Sequence, residues 1–275
     1  MSDAGPLDAN FFQAVPRANL AAMPSPAMVA LLIAAAFFAG LVDAIAGGGG
    51  LISLPALLAA GLPPHVALGT NKGQAVFGAT ASAISFWRRG VVDRERAALG
   101  FTAGFVGSCL GVWGVLSVPL RPLRVIVIVL LLCAAAVVLA RRNIEGRPRS
   151  MGARARAAAV AAIALVLGAY DGFFGPGTGS MLVVAFAVVF GDALTRASGN
   201  AKVVNLASNI AAMILFAHRG VVLWSIALPM AAANALGAAT GAHLAVRKGD
   251  RLVRAVVLVV VAAIAVKLAT DLARG

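Results

Sequence analysis

The chain has 275 residues, of which 61% are hydrophobic and 12% charged, against roughly 45–50% apolar and roughly 25% charged in a soluble domain. One soluble core cannot bury that excess, so composition excludes an ordinary soluble enzyme and points to an integral membrane protein. The formal charge of +13 comes from Lys and Arg set mainly between apolar stretches. With no single basic domain to carry it, nucleic acid is not an expected partner.

In chain order, residues 1–26 read as a polar N-terminal tail. It bears Pro and lacks the basic start of a cleaved signal peptide, so the first span is expected to stay in the mature protein. Residues 27–140 hold five apolar segments, at 27–46, 48–60, 66–87, 97–117 and 123–140. Residues 141–156 form a basic linker placed in the cytoplasm. Residues 157–275 hold five more segments, at 157–172, 178–190, 199–217, 223–246 and 252–270. A bilayer crossing takes roughly 20 apolar residues, so the segments at 48–60 and 178–190 are short.

The halves are similar to each other. Gly40, Asp43 and Gly47 in GLVDAIAGGGG are echoed by Gly168, Asp171 and Gly175 in GAYDGFFGPGTG. Further on, Lys72 matches Lys202, WRRGVV matches AHRGVV, and Gly107, Gly111 and Arg124 match Gly237, Gly241 and Arg254, at an offset of about 130 residues. The fold expected is all-α and membrane-integral, with two repeats of five hydrophobic segments each and broken or re-entrant helices at the Gly-rich motifs.

Loop charge orients the repeats, because Lys and Arg are retained in cytoplasmic loops. Arg88, Arg89, Arg94 and Arg96 follow the third segment, whereas its counterpart loop holds Arg219 alone. Arg121 and Arg124 precede the fifth segment, whereas its counterpart loop adds Arg247, Lys248 and Arg251 to Arg254. Five crossings per half with the N-terminus outside put both rich loops, the linker and Arg196 inside. The repeats are therefore expected to be inverted, and re-entry of both short segments would spoil this segregation.

Charges inside apolar segments are costly, and they line cavities or pair. Asp43 and Asp171 precede the Gly runs, and Lys72 and Lys202 lie in the third segment of each half. The Gly runs break the helix and let backbone N–H groups and helix N-termini approach an anion. Glycine interruptions at matching positions of two halves mark the discontinuous helices of transporters. Substrate binding is assigned to Gly48, Gly49, Asn71, Lys72, Gly177, Thr178, Gly179, Lys202 and Asn205. Asp43 and Asp171 are given to helix support or a coupled proton, the Lys–Asp sets also being readable as architectural salt bridges and the glycines as close packing.

No G-K-[ST] ending follows either Gly run, so neither is a phosphate-binding loop. Cys109 and Cys133 have no C-x-x-C spacing, and His65, His218 and His243 have no metal-ligand spacing, so no metal, cofactor or disulfide is expected. His65 and His218 are placed at the membrane interface, and His243 is read as a buried, hydrogen-bonded histidine. Trp87, Trp113 and Trp224 near segment ends suit the interface. A membrane-embedded hydrolase would have to use Ser180 or Ser198 with His243, and a passive anion channel would use the same polar path without alternating access.

The strings GLVDAIAGGGGLISLPALLAAGLPPHVALGTNK, GAYDGFFGPGTGSM and ASGNAKVVNLASN resemble the sulfite exporter TauE/SafE family. Gly175 to Gly179 match its second Gly motif, Lys202 and Asn205 its K-x-x-N, and Asn71 and Lys72 its T-N-K. The long N-terminal tail and the Arg-rich linker depart from the pattern. The resemblance implies a multi-spanning secondary transporter of the bacterial cytoplasmic membrane, without an ATPase of its own. It implies transport of sulfite, sulfonates or related small organic anions, not its direction; export is the direction expected, and the bilayer, the anion and a coupled proton are the partners expected.

Overall fold

The computed structural model describes residues 24–139 and 151–247. The tail up to 23, much of the linker and the expected segment at 252–270 lie outside the described residues. Within them the chain is helical, without a strand. The helices are α1 (Pro26–Ala46), α2 (Gly50–Ala59), α3 (Pro64–Arg88), α4 (Arg94–Leu116), α5 (Leu120–Leu139), α6 (Ala153–Phe173), α7 (Thr178–Phe190), α8 (Leu194–His218) and α9 (224–247).

Local chemistry sets the boundaries. Ser25 caps α1 by accepting from the Met28 amide at 3.3 Å, with Pro26 opening the first turn. Asp93 caps α4 by accepting from the amides of Glu95 and Arg96, which starts that helix three residues before its apolar stretch. Gly47 ends α1 in the left-handed region, at φ 77°, which glycine adopts without steric cost.

Four helices, α1, α4, α6 and α8, are long and apolar enough to cross a membrane. α3 matches α8 in length at 25 residues, but His65, Thr70, Asn71, Lys72 and Gln74 make its first half polar. The 10 residues of α2 and 13 of α7 reach only about 15 and 20 Å, short of a hydrocarbon core of about 30 Å. α8 lies at the centre, with 61% of its most apolar window buried, and α6 lies outermost, at 17%.

The halves pack by exchanging equivalent contacts. On α4, a Cβ at Gly107 would fall 2.1 Å from the Leu165 carbonyl oxygen of α6; on α9, one at Gly237 would fall 2.0 Å from that of Phe37 in α1. Only glycine permits either approach. In the same way the Asp93 amide donates to Asn200 Oδ1 at 2.8 Å and the Leu223 amide to Thr70 Oγ1 at 3.0 Å.

Contact order gives relative direction. α1 and α9 run parallel, since Phe37 meets Gly237 and Leu41 meets Gly241; α4 and α6 run parallel, since Gly104 meets Gly168 and Ser108 meets Gly172. α3 and α8 run antiparallel, with Gly69 against Val221 just past α8 and Gly199 against Phe86 near the end of α3. Trp87, Trp113 and Trp224 sit exposed near helix ends. His65, in the first turn of α3, is buried, its ring 3.2 Å from the Val115 carbonyl in the last turn of α4.

Candidate functional site

Two breaks, after α1 and before α7, meet in the interior. A Cβ at Gly47 would stand 2.1 Å from the Gly179 carbonyl carbon. The Ser180 amide donates to the Gly47 carbonyl at 2.9 Å and the Ser180 hydroxyl to that of Ala46 at 2.7 Å. These bonds satisfy carbonyls at the end of α1 that its own helix leaves without partners. Gly177 at φ 84° is the cap of α7. The starts of α2 and α7 are thereby pinned together in the middle of the protein.

Around this junction lie four charges, in two pairs that each join one half to the other. Lys72 Nζ is 2.9 Å from Asp171 Oδ1, and Lys202 Nζ is 2.6 Å from Asp43 Oδ2. Of the two roles open to these residues from sequence, both Lys are found in salt bridges, each with the Asp of the opposite half. Gly175 lets the first pair lie flat against backbone: a Cβ there would sit 2.9 Å from Lys72 Nζ and 3.2 Å from Asp171 Oδ1.

One stretch of α8 ties the pairs together. Asn205 Nδ2 reaches Asp43 Oδ2 at 3.4 Å, Asn209 donates to both the side chain and the backbone oxygen of Asn205, and the Ser208 hydroxyl donates to Asp171. On α3, Asn71 Oδ1 accepts from Ser53 of α2 at 2.6 Å and from Gln74 at 3.0 Å. The polar groups form a continuous chain from Lys202 to Lys72.

That chain borders a partly open cavity of about 450 Å³, its opening included. Of the residues singled out from sequence, Asp43, Gly49, Asn71, Lys72, Asp171, Gly179 and Asn205 line it. Lys202 does not: it is fully buried behind Asp43. Gly48, Gly177 and Thr178 do not line it either; Gly177 faces Ala134 of α5 and the Thr178 hydroxyl turns back to the Gly175 carbonyl.

Sequence reasoning passed over Ser53, Gln74 and Asn234, which also line the cavity, and Ser208. The available signal was an isolated amide in an otherwise apolar run: Gln74 two residues beyond Lys72, and Asn234 in the middle of 223–246. Gln74 is buried with no partner for its Oε1. Asn234 donates to the Ala36 carbonyl at 3.1 Å.

His243 is exposed, between Arg89 at 2.5 Å and Arg247 at 3.4 Å, and Ser180 is bonded to the end of α1. The expectation of a buried His243 is thus corrected: it occupies the outward face near the end of α9. Among the described residues no group of His, Cys, Asp and Glu is placed to hold a metal.

The profile of the sulfite exporter TauE/SafE family matches residues 32–268. The chain is 38% identical over 249 residues to the probable membrane transporter protein YfcA of Escherichia coli K12, covering 90% of this chain and 92% of that one. It is 35% identical over 244 residues to the probable membrane transporter protein ORF9 of Sinorhizobium sp, covering 89% and 93%. A probable membrane transporter protein of Haemophilus influenzae is 37% identical over 235 residues, covering 84% and 91%. No solved structure matches.

Proposed function

The chain belongs to the sulfite exporter TauE/SafE family, and on that footing we propose that it is a secondary transporter exporting small sulfur-containing or organic anions, such as sulfite or sulfonates, across the bacterial cytoplasmic membrane. The observation that carries this reading is the polar cavity at the junction of two glycine breaks, bordered by Asp43, Lys72 and Asp171 of two Lys–Asp pairs that each link one half to the other. Ion pairs between halves can hold them together and can be re-formed as they rock. An enclosed polar site between two repeats is where alternating access places its substrate.

The repeats are inverted in this reading. The parallel courses of α1 with α9 and α4 with α6, and the antiparallel course of α3 with α8, support it. In this reading each short helix closes a hairpin with the helix before it that enters and leaves on one side, which leaves α3 and α8 running in the directions that five full crossings per half would give. The N-terminus then lies outside, and Arg88, Arg89, Arg94 and Arg96 lie inside with the linker, as retention of positive loops requires.

In the site, Lys72 faces the anion directly, Asn71, Asn205 and the backbone at Gly49 and Gly179 supply hydrogen bonds, and Lys202 is reached through Asp43. The starts of α2 and α7 add the positive ends of two helix dipoles. Proteoliposome flux of labelled sulfite, sulfoacetate, taurine and thiosulfate is the test. The reading requires saturable flux and counter-flow exchange of at least one of them, lost in folded Lys202→Ala and Lys72→Ala proteins. Flux that does not saturate and shows no exchange makes the protein a channel.

A further inference from the structure

We infer that Asp43, and not Asp171, is the site at which a proton enters together with the anion, so that one proton crosses with each monoanion; this rests on the transport reading above. The argument is one of charge. Among the described residues, Lys72, Lys202, Asp43 and Asp171 are the charges bordering the cavity or paired at it. They form two closed pairs with no net charge. The cavity therefore holds no ammonium waiting for a ligand.

A monoanion that takes a place on either ammonium displaces a carboxylate and leaves one uncompensated negative charge in a low-dielectric interior. An unpaired buried charge of that kind is not tolerated; it is neutralised instead. A proton on the displaced carboxylate is the neutralising species that water in the cavity can deliver. Anion and proton then occupy the site together, and neither is stable there alone.

Geometry selects the carboxylate. Asp43 lines the cavity with 22% of its side chain exposed, and it stands between the cavity and a Lys202 that is 0% exposed. Its second polar contact, from Asn205, is long at 3.4 Å. Asp171 is 3% exposed, held by Lys72 and by the Ser208 hydroxyl. The charged groups facing Asp43 are Lys202 from α8, Lys72 from α3 across the cavity and Asp171 from α6. α2, α7 and α9 bring only neutral groups to the cavity, among them Gly49, Gly179 and Asn234.

Protonation of Asp43 breaks its hold on Lys202, and the freed ammonium turns to the anion. Transport of a monoanion is then electroneutral, and its direction follows the anion and pH gradients instead of the membrane potential.

The experiment uses full-length protein in liposomes holding a pH dye, with the potential clamped by valinomycin and potassium. The probe is labelled methanesulfonate, a strong-acid monoanion that carries no proton of its own, run beside the four compounds above. The wild type should move one proton per methanesulfonate, with flux rising up to about tenfold per unit fall in pH and unaffected by the clamp. Asp43→Asn should lose proton movement and pH dependence and become sensitive to potential. Asp171→Asn should keep the one-to-one ratio at whatever rate remains, and Asp43→Glu, which preserves the pair should Asp43→Asn not fold, should keep it too.

Wild-type flux of methanesulfonate without protons, or an Asp43→Asn protein that still moves them, overturns the inference and leaves the transporter reading standing. Absence of flux for every anion overturns the transporter reading itself, and this inference with it.

Discussion

The two Lys–Asp pairs occupy matching places in the two halves and differ in how they are closed. Lys72–Asp171 borders the cavity but is close-packed: both partners are 3% exposed, a serine hydroxyl reinforces the carboxylate, and Gly175 lies against it. Lys202–Asp43 is open on its acidic side, with the ammonium fully buried and the carboxylate facing the cavity. The neighbouring turn of the partner helix explains the difference. α8 carries Asn205, Ser208 and Asn209, whereas the matching positions of α3 are Ala75, Gly78 and Ala79. A duplicated scaffold thus places the same two charges twice, and differences one turn away leave one carboxylate 3% and the other 22% exposed.

The sharpest way to break the comparison is to remove each Lys. Lys72→Ala strands Asp171 in a closed site, and stability should fall by about 3–5 kcal/mol, the cost of breaking a buried pair. Thermal unfolding of the protein in lipid nanodiscs measures it. Replacing both members together, as Lys72→Met with Asp171→Leu, should recover most of that loss and none of the transport.

Gly175→Ala attacks the same pair from the backbone. It puts a Cβ into both partners at φ 99°, and should cost about 2–3 kcal/mol. Lys202→Ala should cost less, about 1–2 kcal/mol, because the Asp43 it strands can be hydrated from the cavity. If the two Lys variants unfold at the same temperature, the distinction between a close-packed and an open pair is wrong.

The smallest effect on folding is expected at Gln74. Its Oε1 has no partner to lose, and Asn71 Oδ1 keeps the Ser53 hydroxyl when the Gln74 amide is removed, so Gln74→Leu should change stability by less than about 1 kcal/mol. It should instead alter KM for substrates that carry a hydrogen-bond donor while leaving donor-free anions unchanged, which a comparison of taurine with methanesulfonate reads directly.

Much of this was legible in the sequence because it is local. The glycine breaks, the shortness of α2 and α7 and the likeness of the halves are properties of short stretches or of their order. The four charges stood out because charge is expensive in an apolar run. The reading still placed both Lys on the substrate, and Lys202 is not on the cavity surface. Sequence spacing puts Lys202, Asn205 and Asn209 on one face of α8, but does not say which carboxylate from another helix will reach that face first. Gln74, Ser53 and Asn234 were overlooked for a related reason: a single amide in an apolar helix is often glue between helices, and only its neighbours show whether it has a partner.

The sequence by itself determined that the chain is an apolar, helical, duplicated membrane protein with two breaks and two matched Lys–Asp sets, since hydrophobicity, helix breaking and repetition are carried by residue identity and order. Tertiary structure alone decided that each Lys pairs with the Asp of the opposite half, that the breaks touch at Gly47 and Gly179, and that of the two carboxylates bordering the cavity Asp43 is 22% exposed and Asp171 3%. Those outcomes depend on which helices approach within a few ångströms, and small residues such as Gly107 and Gly237 set that approach by what they leave out.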